Sequence, residues 1–191
     1  ADGFSEAAIQ QILNSKVKIP NQSRVGIVRL TNSSQAESYN YPRSQAGAST
    51  YDVDDAFVTG FFKTIQSSKN IKNVIPVPRS LVQSNPNFKQ LRMSAVIVQA
   101  DLLLVINSDS ETNWDFKWSE VNRVAKGKTN LEAYLMDVRT GIVVMSGVYS
   151  DISEIKFESE KDYDVNDLMK RAKFESEKKV FTQVAQEIVQ F

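Results

Sequence analysis

The chain contains neither cysteine nor histidine. The first absence removes disulfides and thiolate nucleophiles, and the second removes imidazole bases. Together they exclude Cys/His zinc sites and every histidine-dependent triad. Glycine is scarce, with seven in 191 residues, and neither GxxxxGK[ST] nor GxGxxG occurs. A phosphate-cradling loop is therefore not expected, and nucleotide enzymes are poor candidates. Net charge is also missing, because 23 basic side chains balance 23 acidic ones. Nucleic acid would require a basic field, and Arg123, Lys126 and Lys128 make only a small cluster at an expected turn. No apolar run reaches the roughly 18 residues of a transmembrane helix. A chain without thiols suits any redox compartment, so cysteine usage leaves location open.

What remains is enough for a core. Apolar residues make up 41% of the chain, and ten of its residues are phenylalanine. That composition lies outside the low-hydrophobicity, high-charge class that stays disordered, and residues 1–191 read as a single α/β domain.

Ser5 to Leu13 reads as a short helix with Ile9, Ile12 and Leu13 on one face. Arg24 to Leu30 (RVGIVRL) is β-branched and short, as a buried central strand is. Thr31 to Thr50 has no periodicity and reads as a long loop. Asp52 to Ser68 resumes helical spacing through Val53, Phe57, Phe61 and Ile65, with Asp52, Asp54 and Asp55 where the helix dipole favours acids. Ile71 to Pro78 (IKNVIPVP) carries two prolines, which confine it to a sheet edge. Ser84-Asn85-Pro86 predicts a capped helix start, with Phe88, Leu91, Ala95 and Val98 on its inner face and an end near Ala100. Asp101 to Ile106 then reads as a strand covered on both faces.

Downstream the period becomes two. Trp114, Phe116 and Trp118 alternate with polar residues, and Asn130–Val138 and Ile142–Ser150 flank the tight Arg139-Thr140-Gly141 loop. A C-terminal helix is expected over about 164–191, with a break, a kink or a change of partner near Lys173 because its apolar stripe changes direction there. The expected fold is a mixed sheet of about five strands flanked by helices, with an antiparallel meander in its second half. The sequence KFESEK occurs at Lys156–Lys161 and Lys173–Lys178. Two copies are too few for a stacked array, and alternating Glu and Lys reads most simply as a solvated helix face.

The segments RVGIVRL, SAVIVQADLLLVI and LEAYLMDVRTGIVV resemble the domain shared by the curli-secretion lipoprotein (CsgG-like), the lipoprotein activators of penicillin-binding proteins (LpoB-like) and the amino-terminal domain of the Tol translocation protein (TolB). The likeness runs from about Arg24 to Tyr149 and rests on Ala100-Asp101 and on Asp137-Val138-Arg139-Thr140-Gly141. It implies an extracytoplasmic bacterial module of periplasm or outer membrane, without catalysis and acting by binding or assembly. Membrane attachment would come only from a lipidated cysteine upstream of Ala1. The start at Ala1 without methionine fits a processed chain. The curli-secretion member's membrane hairpins are not expected here. The segment around Trp114 is short for a membrane strand and is flanked by Asp109, Glu111, Asp115 and Glu120.

No catalytic, cofactor or metal residue is expected, because Asp52, Asp54 and Asp55 lack an EF-hand pattern. Candidate partner-binding residues are Tyr39, Tyr41 and Arg43 in the long loop, and Trp114, Phe116 and Trp118 on the alternating strand. The plainer alternatives are a mobile loop and a core-facing strand. The partner would be another envelope protein or a second copy. The competing readings are a carboxylate-based hydrolytic domain and a small-ligand carrier, with Asp109 and Glu111 as the site at the end of the apolar strand.

Overall fold

The structure, a computed structural model, describes residues 5–14, 17–31, 55–83, 85–115, 124–156 and 165–191. Along the chain these form α1 (Glu6–Asn14), β1 (Ser23–Thr31), α2 (Asp55–Gln66), β2 (Ile71–Pro76), a 3-10 turn (Arg79–Leu81), α3 (Phe88–Ile97), β3 (Leu102–Asp115), β4 (Val124–Asp137), β5 (Val143–Lys156) and α4 (Val165–Gln190). The sheet order is β2-β1-β3-β4-β5. β1 runs parallel to β2 and β3, and β3, β4 and β5 form an antiparallel meander. This is the mixed five-stranded sheet that the sequence pattern predicts.

Successive strand side chains point to opposite faces, so the pairing register sorts the residues. On one face lie Val25 and Ile27 of β1, Leu102, Leu104 and Ile106 of β3, Leu131, Ala133 and Leu135 of β4, and Tyr149 of β5. Ile65 and Phe61 of α2 and Val180, Phe181, Val184 and Ile188 of α4 complete this core. The opposite face carries Val28, Leu103, Val105 and Met136 beneath Leu91 and Ala95 of α3. The run Leu102–Ile106 is thus covered on both sides. The edge position of β2 suits Pro76, which ends it, and Pro78 just beyond, since neither supplies an amide hydrogen.

Two expectations need correction, and a third resolves to one of its alternatives. α3 begins two residues after Pro86, because Asn87 accepts from Gln90 N (2.9 Å) while Gln90 Oε1 accepts from Asn87 N (2.8 Å). This reciprocal capping box satisfies two orphan donors, a better start than Ser84-Asn85-Pro86 offers. Phe88, expected on the inner face, is 44% exposed. Second, Trp114 does not begin a separate strand. β3 continues for 14 residues from Leu102 to Asp115, so the shortness argued against a membrane strand disappears. Its outer half, Asn107 to Asn113, is nevertheless polar on both faces, unlike the apolar outward band of a membrane barrel.

Third, α4 is one continuous helix of 26 residues. Its buried positions Leu168, Ala172, Ser176, Val180, Val184 and Ile188 are four apart. The stripe looked broken because Ser176 and its neighbour Glu177 are polar, and what changes near Lys173 is the partner. Leu168 and Ala172 pack with Ala125, whereas Val180 onward enters the main core. At 1.5 Å per residue α4 spans about 39 Å, enough to lie along most of the β4 strand. Gly127 permits that approach: a Cβ built there would sit 2.3 Å from the Ala172 carbonyl carbon and 2.4 Å from Lys173 N.

Candidate functional site

Two groups of polar residues stand out, one at the base of the sheet and one beneath α4. At the base, the Asp101 carboxylate accepts from the backbone N–H of Arg24 (2.9 Å) and from Arg139 Nη2 (3.3 Å), and it lies 3.5 Å from Arg24 Nε. Burial pushes its carboxyl up, but these N–H donors and guanidiniums outweigh burial and hold it below the usual carboxylate value. Val138 N donates to Asp101 O (3.0 Å).

Asp137 is 3% exposed and accepts from Thr140 N (2.9 Å) and Thr140 Oγ1 (2.5 Å). Gly141 closes the turn at φ 76°, a conformation glycine adopts without strain. Arg92 of α3 donates to the carbonyls of Val138 (2.6 Å) and Arg139. The two short motifs that carry the family resemblance therefore meet at one place. There they latch the starts of β1 and β3, α3 and the β4–β5 turn together. Their chemistry is structural.

Beneath α4 the arrangement is denser. Glu177 Oε1 accepts from Ser110 Oγ (2.8 Å) and lies 3.6 Å from Arg29 Nη2. Arg29 Nε donates to Ser108 Oγ (3.2 Å), and its guanidinium stands 5.2 Å from the Phe181 ring centroid. The hydroxyls of Ser110, Thr129 and Ser176 form a chain with separations of 3.2 and 2.6 Å, and Ser176 Oγ donates to Lys173 O. The Arg29 and Glu177 side chains are only 14% and 8% exposed.

A buried charge must be paired and hydrogen-bonded to persist, and this network satisfies that demand with one residue from β1, two from β3, one from β4 and two from α4. Phe57, Phe174, Phe61 and Phe181 pack edge-to-face beside it at 5.3–5.7 Å. The second KFESEK copy consequently does not form a purely solvated face, since its Phe174, Ser176 and Glu177 all point inward. Of the first copy, Lys156 ends β5 and the remainder lies outside the described residues. A Ser–carboxylate pair can activate a hydroxyl; here Glu177 of α4 is buried and Ser110 of β3 partly buried, and their bond ties the helix to the sheet.

Tyr39, Tyr41, Arg43, Phe116 and Trp118 lie outside the described residues. Trp114 is half-buried and packs with Ala125, Leu168 and Ala172 under the first turns of α4. Asp109 and Glu111 share the opposite sheet face, where their cross-strand partners are Asn130 and Lys128. Glu111 is exposed, and among the described residues no group of three or more acids could hold a metal ion. A cavity of about 90 Å³ lies at the other end of the sheet, lined by residues that include Ile19, Ile71, Leu102, Leu135, Ile188 and Phe191. It is smaller than the 300–1,000 Å³ of ordinary ligand pockets and distant in register from both carboxylates.

The sequence reading passed over Arg29, Ser110, Thr129, Ser176 and Glu177. Arg29 was visible as a charge on the Val25–Ile27 face, and Ser176 as the fourth-residue member of the Ala172–Val180 stripe.

No protein-family description matches the chain, and no curated protein matches it. Several solved structures are similar to it at low identity. A Helicobacter pylori homolog of neuraminyllactose-binding hemagglutinin is 12% identical over 92% of this chain and 87% of its own, with a TM-score of 0.48. The PelC dodecamer of Paraburkholderia phytofirmans is 14% identical over 88% and 87%, at 0.41. The LpoB C-terminal domain of Salmonella enterica is 14% identical over 75% and 91%, at 0.37.

Proposed function

We propose that this chain is a non-catalytic bacterial cell-envelope module that works by holding a protein partner, either copies of itself or another envelope protein. One observation carries the binding role. Apolar side chains stand in water on three separate elements: Ile9, Ile12 and Leu13 of α1, Met93, Val96 and Ile97 of α3, and Val148 and Ile152 of β5. Leu13 is 70% exposed and Val148 77%. Exposed apolar groups gathered by element mark surfaces that other molecules cover. The polar side chains between α4 and the sheet meanwhile bond to one another.

The envelope assignment rests on the motif resemblance, whose residues form one coherent latch at the sheet base. On this reading the periplasmic or outer-membrane setting, the lipid anchor upstream of Ala1, and the kinship with the CsgG-like and TolB domains belong together. Among the described residues no helix is long and apolar enough to cross a membrane.

The test is association measured by light scattering. Met93→Ser with Ile97→Ser, and Tyr41→Ala, each weaken binding to the partner, and circular dichroism stays unchanged. Turnover of a substrate that Asp109→Asn abolishes, with the mass in solution unaltered, refutes the reading in favour of carboxylate chemistry.

A further inference from the structure

The two edges of the sheet are built differently. β2 is six residues long, carries Lys72 within it, ends at Pro76 and is followed by Pro78. Short length, lysine and proline are the devices by which natural sheets prevent another strand from adding to an edge. β5, at the other edge, is 14 residues long. From Val143 to Ile155 it contains no proline, lysine or arginine, and its pairing with β4 is uninterrupted from Met145 to Lys156. Its two internal acids are already neutralised within the subunit: Asp151 by Lys179 at 3.2 Å and Glu154 by Lys126 at 3.1 Å. Among the described residues of β5 from Val143 to Ile155, no charge is left uncompensated at this edge.

The side chains of β5 also match themselves. Val148 and Ile152 point away from α4 on the face opposite Tyr149, and they are 77% and 59% exposed. They stand symmetrically about Ser150, which is exposed. If a second β5 is laid antiparallel with Ser150 on the two-fold axis, Val148 of each copy stands directly opposite Ile152 of the other. In that register Tyr149 faces Asp151, Gly147 faces Ser153 and Ser146 faces Glu154, so no like charges oppose. Centring on Asp151 instead places that carboxylate opposite itself, which destabilises a cross-strand pair. Antiparallel partners share a face only when they have the same parity, a condition that the Ser150 axis meets.

We infer that β5 pairs with β5 of a second copy, antiparallel about Ser150, to make a continuous ten-stranded sheet. This deepens the binding-module reading and rests on it, by naming the partner as the chain itself and the surface as a strand edge. It is isologous, so the assembly closes at two copies through this contact.

The absence of native cysteine makes the test direct. Ser150→Cys places two thiols opposite each other on the axis, and mild oxidation is expected to give a disulfide-linked dimer at least tenfold faster than Ser146→Cys. In the paired sheet the two Ser146 positions lie eight residues out of register. Mixed Val148→Cys and Ile152→Cys chains cross-link with each other, while neither cross-links with itself. Light scattering of the parent chain gives a mass rising with concentration from 21.5 kDa toward twice that value. Ile152→Lys, which adds a guarding charge, raises the concentration needed for dimers at least tenfold with an unchanged circular dichroism spectrum.

Equal rates for Ser150→Cys and Ser146→Cys, or a mass fixed at 21.5 kDa, overturn the edge pairing. Either result leaves the wider reading standing, since substrate turnover decides that separately.

Discussion

Between the sheet and α4, Ser110, Thr129, Ser176 and Glu177 are polar groups packed inside, and on the α3 face Val148 and Ile152 are apolar groups in water. The first set comes from β3, β4 and α4, the second from β5. α4 runs along the first face, so the polar side chains it covers must find partners inside the protein. α3 is only ten residues long and lies over the lower part of the second face, where Leu103, Val105 and Met136 are buried. Above Asn107 no described helix packs on that face. Coverage, which depends on helix length, decides whether a strand residue is core or surface; its own polarity does not.

Substitutions that treat the faces alike should therefore give unlike results. The largest contrast is at adjacent β4 residues. Gly127→Val drives a side chain into the Ala172–Lys173 backbone, where even a Cβ has only 2.3 Å. α4 must lift, at a cost of about 3 kcal/mol or more in urea unfolding. Lys128→Ala, one residue along on the open face, should change stability by no more than about 0.5 kcal/mol. Equal losses would mean that α4 does not rest on β4 as described.

Glu177→Ala comes next. It removes the carboxylate that faces Arg29 and Ser110 and should cost about 3 kcal/mol, because a charge that loses its buried partner is more expensive than no charge at all. The double change Arg29→Met with Glu177→Leu should recover most of that loss. If the double variant is as unstable as the single, the network contributes more than charge balance.

The elements themselves were readable from period and punctuation. Alternation gave β4 and β5, and the apolar run Leu102–Ile106 gave a strand buried on both faces, because burial demands apolar residues wherever coverage is complete. The candidate site was harder to read. Ser176 and Glu177 look like surface residues in a stretch of Glu and Lys, and only the four-residue spacing from Leu168 to Ile188 marks them as inward. Pairing cannot be seen along one chain: Arg29 and Glu177 are 148 positions apart, and each makes sense only beside the other. Val148 and Ile152 posed the converse problem, since apolar strand residues read as core until the absent cover is known. The Tyr39–Arg43 proposal rests on loop composition and lies outside the described residues.

Where the two faces meet, at the sheet base, Asp101→Asn keeps the shape of the side chain and removes its charge. A loss of about 2 kcal/mol is expected, since Asp101 bonds to Arg24 N–H and two guanidiniums. Its carboxyl is held below the usual value, so its stabilisation is complete above about pH 4 and fades as pH falls through the lowered folded-state value. The parent should lose stability faster than the variant over that acid window in denaturation curves. A constant gap down to pH 2 would mean that the loss does not come from the carboxylate's charge.

The smallest effect compares one tyrosine from each face. Tyr149, over Gly147 on the α4 face, donates to Glu187 at 2.5 Å, and burial together with that carboxylate pushes its hydroxyl far above the usual value. Tyr134, on the α3 face, is pushed up by burial alone. In both, the folded state holds the proton more tightly than the unfolded chain, so the stabilisation is complete below about pH 10 and declines as pH rises beyond it. Tyr149→Phe should cost about 1 kcal/mol at neutral pH through the lost hydrogen bond. It should also flatten the alkaline decline more than Tyr134→Phe does, because Glu187 repels the phenolate directly. Matching slopes for the two variants would remove Glu187 as the cause and leave burial as the common one.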